Sequence, residues 1–264
     1  GGVYNYAFDI KPKTIKDKDL QHLAKEYKFF KKKFVPETGV LPVYFFPGSF
    51  SSLLYAFISG ISGENLVKKI SPVENKLGQQ IFSSKLTIED NPLIPRSIHS
   101  IPFDDEGVPT TRKFLVEKGV LKSFINDLDS ASKLNQTPTG NGFKQSMFGS
   151  SISTPPSPFT SSVYVVPGNR TEKEIIKSID KGLYVKQFLG FHSNDYVQGK
   201  FSVSIGIGYY IEKGKILGAL DKTMISGNIY EVLMNVAEIS KETRDTNLGK
   251  IPGILCDKVF VLGK

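Results

Sequence analysis

Three consecutive carboxylates form the most prominent chemical cluster in the sequence. They are Asp104, Asp105 and Glu106. Such a cluster can bind a cation or a basic group, or can supply a general acid and a base. The alternative is structural, with one carboxylate in a turn and another accepting hydrogen bonds from nearby backbone amides. Consecutive residues of a strand do not share a face, so at most two of the three can converge, and we favour the structural interpretation.

The histidines and the cysteine lack the spacing of a metal site. His22, His99 and His192 are isolated from one another. Zinc ligands usually include a pair three or four residues apart on a helix, or a Cys-x-x-Cys pair. A nucleophilic Cys–His pair would need Cys256 close to His192. Cys256 lies in the apolar run 254–256, which favours a buried small hydrophobe. The sequence also has no Gly-x-Ser-x-Gly elbow, phosphate-binding loop or dinucleotide fingerprint.

Two stretches of similar sequence are predicted to organise the fold as hairpins. Residues 114–122 and 209–217 each place Glu-Lys-Gly between two apolar runs. Glycine takes a positive φ without a Cβ clash, as a tight hairpin requires. In the strand that precedes the second hairpin, Phe201, Val203, Ile205 and Ile207 alternate with serine and glycine. This period of two predicts a face of large side chains and a face of small ones. The small face would suit a nearby peptide, or simply close packing inside the domain.

The remaining pattern predicts eight or more strands and about four or five helices, or six if the short segment 64–70 is also helical. Helical signals cover residues 14–34, 64–70 and 229–241. Three further helices are predicted to begin after Pro47-Gly48, after Asp127 and after Thr171, the first of them capped by Ser49 or Ser51. Short strands are predicted at 41–46, 86–88, 162–166, 183–189, 254–255 and 259–262. Because strands and helices do not alternate, we predict an α+β fold. Its β-sheet would be largely antiparallel and hairpin-rich, or an open barrel, flanked by several helices.

Residues 137–162 are rich in Gly, Ser, Thr and Pro, which predicts a long loop that is functional or mobile.

The bulk composition is that of an ordinary globular protein. Of 264 residues, 39% are hydrophobic and 23% are charged. No apolar run approaches the roughly 20 residues of a membrane helix, so no membrane association is expected. The single cysteine fits a reducing cytoplasm.

The net charge is +8, but no helix-turn-helix, zinc-finger or RNP-like motif accompanies the lysines. We therefore favour a solvated lysine-rich surface over nucleic-acid binding.

An ordered series of motifs from about Leu41 onward resembles the TldD/PmbA family. The series comprises Ser71-Pro72 with Lys76-Leu77-Gly78-Gln79, then residues 86–92, residues 103–110, Thr139-Gly140-Asn141, residues 181–185, Asn194-x-x-x-Gln198-Gly199-Lys200-Phe201-Ser202, residues 211–216 and residues 225–228. No single motif is specific, but the ordered set is. The resemblance implies a TldD/PmbA C-terminal-like domain at 41–264. Residues 1–40 would then be a remnant or truncated N-terminal region with a helix, in a fragment or a shortened homologue.

The resemblance also implies a peptidase motif that this chain lacks. Family members are known as metallopeptidases acting on peptides or unfolded segments, and as modulators of DNA gyrase. The TldD branch resembles a zinc peptidase with a helical His-Glu-x-x-x-His motif and a cysteine near the C-terminus. Counting back from Ser71 places this motif on Leu54, Tyr55 and Ser59, which supply neither imidazole ligands nor a carboxylate base. The chain therefore resembles the metal-free TldE (PmbA) branch, a pseudoenzyme, and zinc is expected only in a TldD-type partner.

From this resemblance we expect a non-catalytic subunit of a cytoplasmic TldD/TldE-type peptidase. It would contact a TldD-like subunit, or form a homodimer, and would supply surface that binds peptide or unfolded protein. An extended peptide could add to a sheet edge through main-chain hydrogen bonds. The residues expected to line the groove are Asp105, Glu106, Asn194, Gly199 and Ser202.

Two alternatives stay open at this point. The chain could be an active peptidase with a non-standard site, which would bring His99 or His192 to Asp105 and Glu106. It could instead be a DNA gyrase-associated or nucleic-acid-binding module, as its basic charge suggests.

Overall fold

The computed structural model describes residues 15–95, 97–146, 149–150, 152–191 and 197–263. The helices are α1 (Asp17–Lys28), a 3-10 turn (Phe29–Lys31), α2 (Pro47–Gly60), α3 (Gly63–Val67), α4 (Leu128–Lys133), α5 (Glu172–Lys177) and α6 (Ile229–Met234). The strands are β1 (Lys33–Phe34), β2 (Gly39–Phe45), β3 (Ile88–Asp90), β4 (Lys113–Glu117), β5 (Val120–Leu121), β6 (Gly142–Phe143), β7 (Gln145–Ser146), β8 (Gly149–Ser150), β9 (Ser157–Pro158), β10 (Val163–Val165), β11 (Lys181–Leu189), β12 (Lys200–Glu212), β13 (Lys215–Leu220), β14 (Met224–Asn228), β15 (Val236–Asp245) and β16 (Gly249–Leu262).

Twelve of the described strands form one mixed sheet, and five of these close into a barrel. Around the barrel, β2 pairs with β11 and β16, β14 pairs with β16 and β12, and β12 pairs with β11. The α+β class is confirmed in its broad sense, and most of the described strand pairs of this sheet are antiparallel, as predicted, although the sheet is mixed and its barrel is closed rather than open. The β1–β13, β2–β11 and β10–β16 pairs are parallel. Each of these pairs joins strands that are distant in sequence, and hairpin signals report only pairing between neighbouring strands.

The two faces of the sheet bury two separate groups of apolar side chains. Along β2, Val43 and Phe45 belong to the larger core and Tyr44 to the smaller one. This alternation follows from the two-residue period of a strand. Helices α2 and α6 supply side chains to the larger core, whereas α5 and the 3-10 turn cover the smaller core.

Both predicted hairpins are confirmed, but the predicted single face of large side chains on β12 is wrong. Phe201 and Val203 are buried in the larger core, whereas Ile207 lies in the smaller one. The β11–β12 pairing shifts register at Gln187, which faces Ile207. Such a bulge moves every later side chain of the strand to the opposite face. The small-residue face of β12 is therefore interrupted.

The first predicted helix is shorter than expected, and two of the apolar residues whose three- and four-residue spacing predicted it, Leu20 and Tyr27, face outward. Its helical part ends at Lys28, before the 3-10 turn. Leu20 and Tyr27 are 55% and 54% exposed, whereas Glu26 is 7% exposed. The Glu26 carboxylate accepts hydrogen bonds of 2.6 Å from Tyr209 and Lys186. The polar contacts of Glu26 therefore help to place this helix on the sheet, and Phe30 in the following 3-10 turn packs on the smaller core as its spacing predicted.

The last predicted helix, 229–241, is wrong beyond Met234. Residues Val236 to Asp245 form strand β15, paired with β16. Val236 and Ile239 are both in the larger core although they are three residues apart. A register shift after Val236 makes this possible, because a bulge adds one residue between two core-facing positions. The resulting spacing imitates that of a helix.

In the part of the chain that the structure describes, no helix has the length and apolar character needed to cross a lipid bilayer.

Candidate functional site

Helix α2 carries the positions expected for the peptidase motif. Its first helical residue is Pro47, because proline has a suitable φ and lacks the N–H that would be unpaired there. Phe46 occupies the N-cap position, so the prediction that Ser49 or Ser51 caps the helix is wrong. The Ser49 hydroxyl instead donates to the carbonyl oxygens of Phe46, at 2.9 Å, and Val185, at 2.7 Å.

The three motif positions do not share one side of α2. Leu54 is fully buried in the larger core, whereas Tyr55 and Ser59 are half-buried. Positions 54 and 59 are separated by roughly 140° around a helix. Ser51, Tyr55 and Ser59 instead recur every four residues and form a polar stripe. Asn65 donates to the Ser59 carbonyl oxygen at 2.8 Å and to its hydroxyl at 3.1 Å.

Tyr55 is the centre of a small polar and aromatic cluster. The Asn247 amide donates to its phenol at 2.8 Å, and the Phe159 ring lies 5.8 Å away at 40°. Burial raises the pKa of Tyr55, and the bond from Asn247 opposes this rise. The phenol is therefore neutral at physiological pH and its own hydrogen can be donated.

The β15–β16 turn, residues 246–248, positions Asn247. Within the turn, Thr246 donates to the Gly249 carbonyl oxygen at 3.0 Å. Ser51 of α2 donates to the Asn247 side-chain oxygen at 3.3 Å. The His99 Nε2 atom lies 2.8 Å from the Thr246 carbonyl oxygen. Because a carbonyl oxygen only accepts, His99 carries a hydrogen on Nε2 in this contact. The turn thus joins α2 to the segment that contains His99.

Asp104 confirms the structural interpretation of the carboxylate cluster. It is 4% exposed, and its Oδ1 atom accepts from the backbone N–H groups of Glu106, at 3.0 Å, and Val108, at 2.8 Å. Its Oδ2 atom accepts from the Gly142 N–H at 2.8 Å. Asp104 therefore closes its own turn and attaches it to β6.

Asp105 and Glu106 flank this turn and point to different neighbours. Exposed Asp105 accepts from the Lys144 N–H at 2.7 Å. Glu106 accepts from the Leu128 N–H, at the start of α4, at 2.8 Å. Burial raises the pKa of Glu106, and the Leu128 N–H opposes this rise. Both carboxylates are thus placed by backbone contacts, and their role in peptide binding stays a prediction.

The long loop 137–162 is fixed by a fully buried aspartate. Asp90 Oδ1 accepts from the Ser161 N–H and the Ser162 N–H, both at 3.0 Å, and from the Ser161 hydroxyl at 2.6 Å. Its Oδ2 atom accepts from the Asn141 amide at 2.7 Å and lies 3.4 Å from Lys113 Nζ. The described part of this loop is therefore held by a polar network around one acid.

This network also positions Phe159, which sequence reasoning did not identify. The Phe159 N–H donates to the Asn141 carbonyl oxygen at 2.9 Å, next to the β6–β9 pair. Asn247 was not identified either, since both residues lie outside the recognised motifs. Asp90 lies within the family-like motif 86–92, but no role was assigned to its carboxylate.

The other predicted groove residues lie elsewhere in the fold. Gly199 has a φ of +72° and its backbone faces the Tyr230 ring, so a Cβ atom there would lie 2.9 Å from that ring. Ser202 pairs with Ser226 of β14. Asn194 and His192 lie outside the described residues. The predicted roles of Gly199, Ser202 and Asn194 stay predictions.

Cys256 has the environment of a small hydrophobe, as predicted. It is fully buried on β16, paired in register with Val43 and Val236, and burial raises the pKa of its thiol.

Across the described ranges, no three His, Cys, Asp or Glu side chains form a group that could hold a metal ion. In particular, His99 contacts the Thr246 carbonyl and does not join Asp105 and Glu106 in such a group.

Comparisons with known proteins give a consistent result. A family model described as the PmbA/TldA metallopeptidase C-terminal domain matches residues 38–263. The Metalloprotease TldD homolog of Buchnera aphidicola (subsp. Acyrthosiphon pisum) is 31% identical over 214 residues, which cover 80% of this chain and 43% of the relative. The PmbA homolog of the same organism is 29% identical over 221 residues, with 83% and 45% coverage.

A solved structure agrees with these sequence relatives. The crystal structure of TldE from Thermococcus kodakarensis superposes with a TM-score of 0.86 and 29% identity, over 94% of this chain and 55% of that chain. The chain thus spans about half the length of the relatives it matches.

Proposed function

This chain belongs to the PmbA/TldD metallopeptidase family, and from that membership we propose that it is the TldE-like, metal-free component of a two-component peptidase. It binds extended peptide or unfolded protein and contacts a TldD-type subunit. That subunit holds the zinc and cleaves the peptide bond. The similarity to the TldE structure supports this assignment, as does the chemistry of helix α2.

The observation that carries the proposal is the set of residues at positions 54, 55 and 59. Zinc in peptidases is held by imidazole and carboxylate groups, and leucine offers it no donor atom. Leu54 is part of the core, while Tyr55 and Ser59 are hydrogen-bonded to Asn247 and Asn65. The helix is therefore adapted to packing and hydrogen bonding.

The Tyr55 cluster offers a site for peptide main chain. The phenol of Tyr55 is a neutral donor beside the Phe159 ring. A peptide carbonyl can accept from the phenol, and an apolar side chain can lie against the ring. Asp105, Glu106, Asn194, Gly199 and Ser202 are the further residues proposed to contact peptide.

The test combines zinc analysis with a peptidase assay. The isolated chain is expected to hold no stoichiometric zinc and to cleave no unstructured peptide, and mixing it with a TldD-type subunit is expected to give activity. Tyr55→Ala should then lower kcat/KM of the mixture, while Asp129→Ala, at an exposed position of α4, should not. Stoichiometric zinc together with activity in the isolated chain would overturn the proposal.

The nucleic-acid-binding alternative stays a prediction, which salt-sensitive DNA retention would support.

A further inference from the structure

A cleft of about 310 Å³ lies on the sheet near the start of β16. The polar residues that line it are Asn91, Tyr164, Lys241, Thr243 and Lys250. A volume of this size is at the lower end of small-molecule sites, so it suits one small group with a few attached atoms.

The strand register explains why these side chains meet. Tyr164 of β10 is the direct neighbour of Lys250 of β16, and Lys250 is the direct neighbour of Asp245 of β15. Directly opposed residues on adjacent strands point to the same face of a sheet. Thr243 lies two residues before Asp245 and therefore also points to this face.

The lining carries two positive charges and no carboxylate. Neither Lys241 nor Lys250 is in an ion pair with any residue that the structure describes. Glu89, the other neighbour of Tyr164 in the sheet, accepts two hydrogen bonds of 2.8 Å from Arg112, whose charge balances its own, and one of 3.4 Å from the cleft residue Asn91. Asp245, directly opposite Lys250, is in no ion pair with a described residue and can weaken the positive field.

We propose that this cleft binds a small oxyanion, a carboxylate or phosphate group, between Lys241 and Lys250. The two ammonium groups supply charge, and the hydroxyl groups of Tyr164 and Thr243 supply directed hydrogen bonds. The Asn91 amide can add a further donor. This site does not depend on the peptidase proposal.

Two segments of the chain connect the cleft to the surroundings of Tyr55. The segment that starts at Asn91 continues to His99, which contacts Thr246. The β15–β16 turn connects Thr243 to Lys250 and carries Asn247, which contacts Tyr55. The cleft and Tyr55 thus contact different parts of one β-hairpin, the cleft through its two strands and Tyr55 through its turn.

The test is isothermal titration of the chain at constant ionic strength with three probes. They are sodium phosphate, N-acetyl-dialanine with a free carboxylate, and the C-terminal amide of the same peptide. One-to-one binding of phosphate or of the free acid is expected, and the amide should not bind. Binding of phosphate alone assigns the site to phosphate groups, and binding of the free acid assigns it to carboxylates.

Variants separate this site from general charge attraction. Lys241→Met and Lys250→Met should each weaken binding about two- to fivefold, as for a screened surface charge. Asp245→Asn should strengthen binding by a similar factor, a gain that a damaged fold could not give. Lys258→Met, an exposed position on the same strand outside the cleft, is the matched control. No saturable binding of phosphate or free acid, or equal losses in Lys258→Met and the two cleft variants, would overturn the proposal.

Discussion

The Asn247 amide donates a 2.8 Å hydrogen bond to the Tyr55 phenol and so joins the β15–β16 turn to helix α2 across 192 residues of sequence. Tyr55 occupies the position expected for the glutamate of the peptidase motif. The same place in the fold thus holds a neutral phenol with a fixed amide partner, and this contact can be tested directly.

Tyr55→Phe and Asn247→Ala should show energetic coupling. Each change removes one partner of the bond, so each should lower the free energy of unfolding by about 1 kcal/mol. The double variant should lose less than the sum by about 0.5–1 kcal/mol, measured by urea unfolding in a double-mutant cycle. Ser52→Ala combined with Asn247→Ala is the control, because Ser52 bonds to Gly48 on α2. Additivity in the Tyr55 cycle would show that the contact does not form in solution.

Asp90→Asn should destabilise the protein severely. The change replaces one acceptor oxygen in a fully buried network by a donor and leaves Lys113 without its carboxylate. We expect a loss of about 3 kcal/mol or more in urea unfolding, together with faster proteolysis within residues 137–162. Asp129→Asn, whose side chain is 71% exposed, should change stability by at most about 0.5 kcal/mol. A similar small effect of Asp90→Asn would contradict the role of this network.

Glu172 and Glu174, in the same helix, should respond to pH with opposite signs. Burial raises the pKa of Glu172, against the opposing influence of Arg244, Tyr44 and Tyr184, so the folded state binds its proton more tightly than the unfolded chain does. Its stabilising contribution is complete below the ordinary value of 4.5 and is lost as the pH rises through the higher folded pKa. Glu172→Gln keeps an acceptor oxygen for one of the two tyrosines that donate to this side chain, and it removes the pH-dependent loss. Wild type should therefore lose stability relative to Glu172→Gln as the pH rises above 4.5.

Glu174 provides the matched comparison for Glu172. The backbone N–H and hydroxyl of Thr171 lower the pKa of its carboxylate. Its contribution is present above the ordinary value of 4.5 and is lost as the pH falls through the lower folded pKa. Wild type should lose stability relative to Glu174→Gln on acidification. Urea unfolding at several pH values measures both differences, and the same sign for both variants would contradict the assignments.

Gly119→Ala should be costly, whereas Gly39→Ala should not be. Gly119 has a φ of +81°, and a Cβ atom there would lie 2.2 Å from the Phe82 carbonyl oxygen. We expect a loss of about 2 kcal/mol or more in urea unfolding, because alanine is strained in this conformation and meets a backbone atom. At Gly39 no atom lies within 4 Å of the added Cβ, so a change of at most about 0.5 kcal/mol is expected. Equal effects at the two positions would refute this explanation.

Local features of the fold could be predicted from the sequence because they depend on neighbouring residues. The Lys118-Gly119 and Lys213-Gly214 turns have positive φ at both residues, as tight hairpins require. Asp127 and Thr171 cap α4 and α5 in the predicted way. In each case the energy that selects the structure lies within a few residues.

Features that depend on distant contacts could not be predicted in this way. The bulge opposite Ile207 and the one after Val236 arise from pairing with β11 and β16, and each reverses which face a side chain occupies. The buried contact of Glu26 with Tyr209 spans 183 residues. In the candidate site, Tyr55 was identified, but its partners Phe159 and Asn247 are defined only by tertiary packing.

The closed barrel has a consequence for biosynthesis. Strand β2 is completed by pairing with β16, and the paired residues, such as Phe45 and Ile254, are on the order of 200 positions apart. During translation β2 must therefore wait, with one edge unpaired, until β16 has left the ribosome. Long-range pairing of this kind slows folding, and an unpaired edge invites association with other chains. A nascent chain stalled before β16 should thus need chaperone protection that the finished domain does not.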